Sequence, residues 1–127
     1  LYGIVRITMT ILTSYPLLIL NNTELEQTIH KSLDIQTDMG KEMVKVAIEC
    51  LQLFDKKQQD YGSSNIGLSG EIGVAVRLQD KVSRMRHILK KQSSGDSTVN
   101  NESLEDSYKD TANYGMIGVL LNRQLWK

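Results

Sequence analysis

Apolar residues recur along this chain in two rhythms. From Val5 to Ile11 they alternate, with Val5, Ile7, Met9 and Ile11 on one side and Arg6, Thr8 and Thr10 on the other, which predicts a short strand. Beyond Pro16 the rhythm becomes helical. Thr23 and Glu26 stand at capping-box spacing, and Leu25, Ile29 and Leu33 follow at steps of four. Longer helical runs are predicted over about residues 40–59, 70–91 and 102–124, separated by the Gly-, Ser- and Asn-rich stretches DYGSSNIGLSG and QSSGDSTVNN. Short connections between long helices favour antiparallel neighbours. The expected fold class is therefore all-α: an antiparallel bundle of about four helices over residues 21–127, preceded by a strand or extended segment over residues 1–20.

At 127 residues, a single domain with one core is expected. Lys plus Arg equals Asp plus Glu at 15 each, so no overall field draws the chain to nucleic acid or to an anionic membrane. Electrostatic function must come from local arrangement. The opening LYGIVRITMTILTSYPLLIL is the most apolar stretch, yet Arg6, Thr8, Thr10, Thr13, Ser14 and Pro16 interrupt it, which suits neither a spanning helix nor a signal peptide. Cys50, the lone cysteine, sits in an apolar run and reads as a small core residue, consistent with a reducing cytoplasm. His30 and His87 read as surface residues.

Within the run 70–91, Val74, Leu78, Val82, Met85 and Leu89 form an apolar stripe, and Gln79, Ser83, Arg86 and Lys90 a solvent-facing one. Arg77, Asp80, Lys81 and Arg84 follow i, i+3, i+4, i+7 and flank the apolar side as a second polar face. In the run 102–124, Asp106, Asp110 and Asn113 share a face whose next member is Ile117, so an acidic stripe runs into the core. Beyond Tyr114 this run is apolar nearly all round, which predicts burial there. The run 40–59 adds Glu49 at the edge of its apolar face, and Asp55 in line with Val44, Ile48 and Leu51.

Two carboxylates about 5 Å apart repel by about 3 kcal/mol at an effective dielectric near 20, so several gathered in one cleft would cost on the order of 10 kcal/mol. A counter-charge must sit among them. Arg77, Lys81 and Arg84 are candidates, making an inert network. A divalent ion is the alternative, with the basic residues left for an anionic ligand. All-oxygen donors point to Mg²⁺ or Mn²⁺ and away from Zn²⁺.

The order Lys57, Asp60-Tyr61-Gly62, Arg77-x-x-Asp80-Lys81-x-x-Arg84 and then ESLEDSYKDTANY resembles the nucleotide modification associated domain found largely in phage proteins, itself similar to the MazG-like all-α nucleoside triphosphate pyrophosphohydrolases. The resemblance covers roughly residues 40–125. It implies a homo-oligomeric helical bundle, a dimer or tetramer, in the host cytoplasm if phage-encoded. It implies an enzyme that uses two or more Mg²⁺ or Mn²⁺ ions to cleave a nucleoside triphosphate, by analogy a purine dNTP, to monophosphate and pyrophosphate, with neither nucleic acid nor membrane as partner.

Carried over residue by residue, the resemblance places Asp80, Asp106 and Asp110 on catalytic and metal positions, with Glu49 as a further metal ligand. Arg77, Lys81, Arg84 and Asn113 become substrate-binding. The chain departs from the superfamily pattern, which has Glu-x-x-Glu on one helix and Glu-x-x-Asp on another. Here a lone Glu49 stands for the first pair, and Ser107-x-x-Asp110, with Asp106 one residue early, stands for the second. If the turn after the run 40–59 lies beside the site, Lys56 or Lys57 meets phosphate oxygens, Asp60 orients a lysine or a water, and Tyr61 stacks on a base, while Gly62 lets the backbone bend close. A non-catalytic nucleotide sensor and a structural helical oligomer are the competing readings.

Overall fold

The computed structural model describes residues 21–95 and 101–127, and side chains from Ser103 onward in the second stretch; the strand expected over Val5–Ile11 lies outside them. The described chain is all-helical: α1 (Asn22–Ser32), α2 (Asp38–Tyr61), α3 (Ser64–Ser93) and α4 (Asn101–Asn122). Compactness divides the chain within α2 into a unit ending at Val46 and a unit spanning Ala47–Lys127. No described helix is long and apolar enough to cross a membrane.

In the first unit, the capping box is made by Asn21 and Glu24 rather than by the Thr23 and Glu26 that the spacing suggested. The Glu24 backbone N–H donates to Asn21 Oδ1 over 2.9 Å, and the Asn21 N–H donates to Glu24 Oε2 over 3.3 Å. Asn21 is extended (φ −68°, ψ 167°), so α1 starts slightly earlier than the Thr23 cap predicted and its first orphan donors are satisfied there. No residue of α1 is buried.

The second unit holds the core: Ile66, Val74 and Ile117, packed by Phe54, Leu78, Tyr114, Leu121 and Trp126. Helices α3 and α4 run antiparallel, since successive contacts pair rising numbers with falling ones: Val74 with Gly118, Arg77 with Tyr114, Lys81 with Asp110, Arg84 with Ser103. Small residues let them approach. Ser107, only 2% exposed, donates its hydroxyl to the Ser103 carbonyl (2.9 Å), and Thr111 does the same to Ser107 (2.7 Å), so both hydroxyls are satisfied inside α4.

This seam corrects the predicted stripes. The inward line of α3 is Val74, Arg77, Leu78, Lys81, Met85 and Ile88, whereas Val82 and Leu89 are 46% and 42% exposed. Repeated steps of four drift about 40° each around a helix, so an all-apolar line selected on type alone slides off the face that meets α4. Two basic residues take the places in between. On α4 burial beyond Tyr114 is one-sided: Ile117 is buried, but Met116 and Val119 are half exposed. Gln79, Ser83, Arg86 and Lys90 face solvent, and Cys50 is buried, both as expected.

Candidate functional site

Asp110 is the centre of a three-residue ionic cluster. Its Oδ1 accepts from Lys57 Nζ of α2 over 2.7 Å and its Oδ2 from Lys81 Nζ of α3 over 2.9 Å, so one carboxylate ties three helices together. Each position follows from local structure. Lys57 lies one turn before the end of α2, which stops at Gly62 (φ 69°), a left-handed conformation that suits glycine. Lys81 lies on the inward line of α3, and Asp110 on the α4 face that continues into Asn113 and Ile117. Burial pushes the Asp110 carboxyl up, but the hydrogen bonds and charges of Lys57 and Lys81 more than offset this and hold it below the usual carboxylate value. It is anionic at neutral pH.

Above this cluster opens a cleft of about 110 Å³, continuous with solvent. Its lining has two chemistries. Phe54, Tyr61, Ile66, Ile117 and Trp126 give apolar and aromatic surface, and Lys57, Arg77, Asp110, Gln58 and Asn65 give polar groups. Arg77 and Tyr114 are shared with an adjoining hollow lined by Asp80, Lys81 and Arg84. The Arg77 guanidinium lies 5.9 Å from the Tyr114 ring centroid, and its Nη1 reaches the Tyr114 hydroxyl at 3.5 Å, so the aromatic and basic surfaces meet at these residues.

The predicted site residues divide accordingly. Lys57, Tyr61, Arg77, Lys81, Asp110 and Asn113 come together. Asp80 and Arg84 line the adjoining hollow as exposed side chains, and Arg84 hydrogen bonds to Ser103. Lys56 and Asp60 are exposed and do not line the cleft. Asp106 is exposed one turn before Asp110, and Glu49 is paired with Lys109 (3.1 Å) on another side of α4. Asp55 accepts from Gln59 over 2.7 Å and is likewise exposed. Asn113, 6% exposed, donates its amide to the Cys50 carbonyl (3.0 Å), which docks α4 on α2, and its Oδ1 is buried without a partner. His87 is exposed as predicted, but His30 is half-buried with its Nε2 enclosed.

The four predicted metal ligands therefore do not converge within one chain. Among the described residues no three His, Cys, Asp or Glu side chains are placed to share an ion, and the one carboxylate in the cleft has an ammonium group on each oxygen. As arranged, this donor set does not fit a divalent cation.

Sequence reasoning missed Phe54, Gln58, Asn65, Ile66 and Trp126. Trp126 follows α4, and its Nε1 donates to the Ser63 carbonyl over 3.0 Å, a contact spanning half the chain. Its being the chain's one tryptophan was the available signal.

The fold and site together define an all-helical domain with a basic, aromatic-lined cleft held by a buried-edge ionic cluster. Residues 57–121, just over half of the chain, match the family described as nucleotide modification associated domain 1, and the chain belongs to that family. The match begins at Lys57 and includes Arg77, Lys81, Asp110 and Tyr114, but neither Phe54 nor Trp126. No curated protein and no solved structure matches the chain.

Proposed function

We propose that this cleft binds a nucleoside triphosphate and that the chain hydrolyses it to a monophosphate and pyrophosphate. The observation that carries the reading is the junction at Asp110, where an aromatic-lined hollow meets the cations Lys57, Arg77, Lys81 and Arg84. Phosphate oxygens compete with Asp110 for the two lysines, because a polyphosphate offers more negative charge and more acceptors than one carboxylate. Arg77 and Arg84 take up what the lysines leave, and Asp110 keeps the lysines extended towards the cleft until the ligand arrives. A purine dNTP is the favoured substrate on the resemblance to the MazG-like enzymes.

Mg²⁺ or Mn²⁺ belongs to the reading through that resemblance alone, since among the described residues the carboxylates of one chain do not assemble around an ion. That same separation favours a second reading, a nucleotide sensor that binds without turnover. The deciding experiment is incubation of purine dNTPs with Mg²⁺, with Mn²⁺ and with chelator in ¹⁸O-water, with products resolved by ion exchange. Monophosphate carrying the label, together with intact pyrophosphate, supports attack at the α-phosphorus. Binding without product supports the sensor. Early diphosphate and orthophosphate refute the proposed cleavage.

A further inference from the structure

Two aromatic residues of the cleft, Phe54 and Trp126, lie outside the residues that the family match covers. Trp126 lies four residues beyond the end of α4, and its ring stands against Gly67 near the start of α3, where a Cβ would lie 3.8 Å from Cδ1 and Nε1. Two contacts fix it: the indole N–H donates to the Ser63 carbonyl over 3.0 Å, and the ring meets Phe54 edge to face, with centroids 6.2 Å apart and planes at 69°. Its sole polar atom is thus satisfied, and what it offers the cleft is ring surface at a set angle. Tyr61 lines the same cleft and is 74% exposed.

Position along the helix gives the complementary fact. From Gly67, beside the Trp126 ring, to Arg77, at the junction with the basic hollow, α3 covers at most roughly 15 Å at about 1.5 Å per residue. Ring surface from Trp126 and Phe54 and the cations Lys57 and Arg77 thus line one cleft.

Resting on the nucleotide-binding reading above, we infer that Trp126 is the specificity-determining residue of this chain, the surface on which the base of the bound nucleotide stacks, with Tyr61 on the open side. Stacking reads ring area and makes no hydrogen bond to the base edge, so it ranks purines above pyrimidines without separating one purine from another.

Because Trp126 is the one tryptophan, the intact protein reports on itself. The non-hydrolysable α,β-imido analogue of dGTP, the corresponding analogue of dCTP and inorganic tripolyphosphate are titrated with Mg²⁺ present, following indole fluorescence and binding heat in parallel. The expected result is binding of all three, with fluorescence quenched by the nucleotides, more by the purine, and unchanged by tripolyphosphate. Trp126→Ala weakens the dGTP analogue about tenfold or more, as loss of one stacked base does, and leaves tripolyphosphate unchanged, while Trp126→Phe restores most of the difference. Nucleotide binding with unquenched fluorescence overturns the assignment while leaving the proposed function standing. Equal weakening of nucleotide and tripolyphosphate in Trp126→Ala also overturns it, since that marks a packing role. Absence of heat with every ligand overturns both readings together.

Discussion

A carboxylate bracketed by two ammonium groups makes Asp110 a sensitive position whatever the ligand. Its side chain is 14% exposed, against 24% for Lys81 and 46% for Lys57, so removing its charge strands two cations of which Lys81 is the harder to rehydrate. Asp110→Asn is expected to destabilise the fold by about 1–2 kcal/mol at neutral pH, a charged hydrogen-bond pair discounted for solvent access. The sign of the pH dependence follows from the depressed folded pKa. Stability from the cluster is fully present above the unfolded carboxylate value of 3.8 and is lost as pH falls through the lower folded value. The gap between wild type and variant in urea midpoint should therefore close in acid, and a gap unchanged on acidification would mean the cluster is not formed in solution. On the same exposures, Lys81→Ala should cost more stability than Lys57→Ala.

At the scale of elements, the bend in α3 carries the next expectation. Gly70 sits inside the helix at φ 61° and ψ −154°, a conformation open to glycine and costly for any residue with a Cβ, although a Cβ there would meet nothing within 4 Å. The cost of Gly70→Ala is thus one of backbone alone, about 1–3 kcal/mol, read as a lower urea midpoint. An unchanged midpoint would show that α3 straightens freely. This residue also explains what the sequence could not settle. Periodicity starts the helix at Gly70, whereas α3 begins at Ser64, because a glycine that bends a helix and a glycine that precedes one look alike in one dimension. The existence of all four helices was legible from spacing. Which face of α3 turned inward was not, since Lys81 and Arg77 occupy seam positions that their residue types assign to water, and their partners there, Asp110 and Tyr114, come from α4. Asp110 and Asn113 were legible as an acidic face running into apolar sequence. Trp126 was not, because its partners Ser63 and Phe54 lie more than sixty residues away.

Across the whole molecule, apolar surface remains uncovered in the second unit. Leu68, Ile72 and Val76 on α3 are 90%, 79% and 52% exposed, and Leu51, Met116 and Val119 line a second, almost wholly apolar hollow on α2 and α4. Large apolar side chains left this exposed are candidates for association, and in homo-oligomers such surfaces meet their own copies about a symmetry axis. We expect the protein to self-associate through the α3 face. Light scattering at micromolar concentration should give a mass at least twice 14.4 kDa, and Ile72→Glu, which places a charge on exposed apolar surface outside the Asp110 cluster, should shift the distribution towards monomer. Far-UV circular dichroism of the variant should be unchanged, because Ile72 contributes little to the core of its own chain. A wild type of 14.4 kDa at every concentration would refute the expectation. So would a variant that associates as strongly as wild type, which would direct the search to Met116 and Val119 instead.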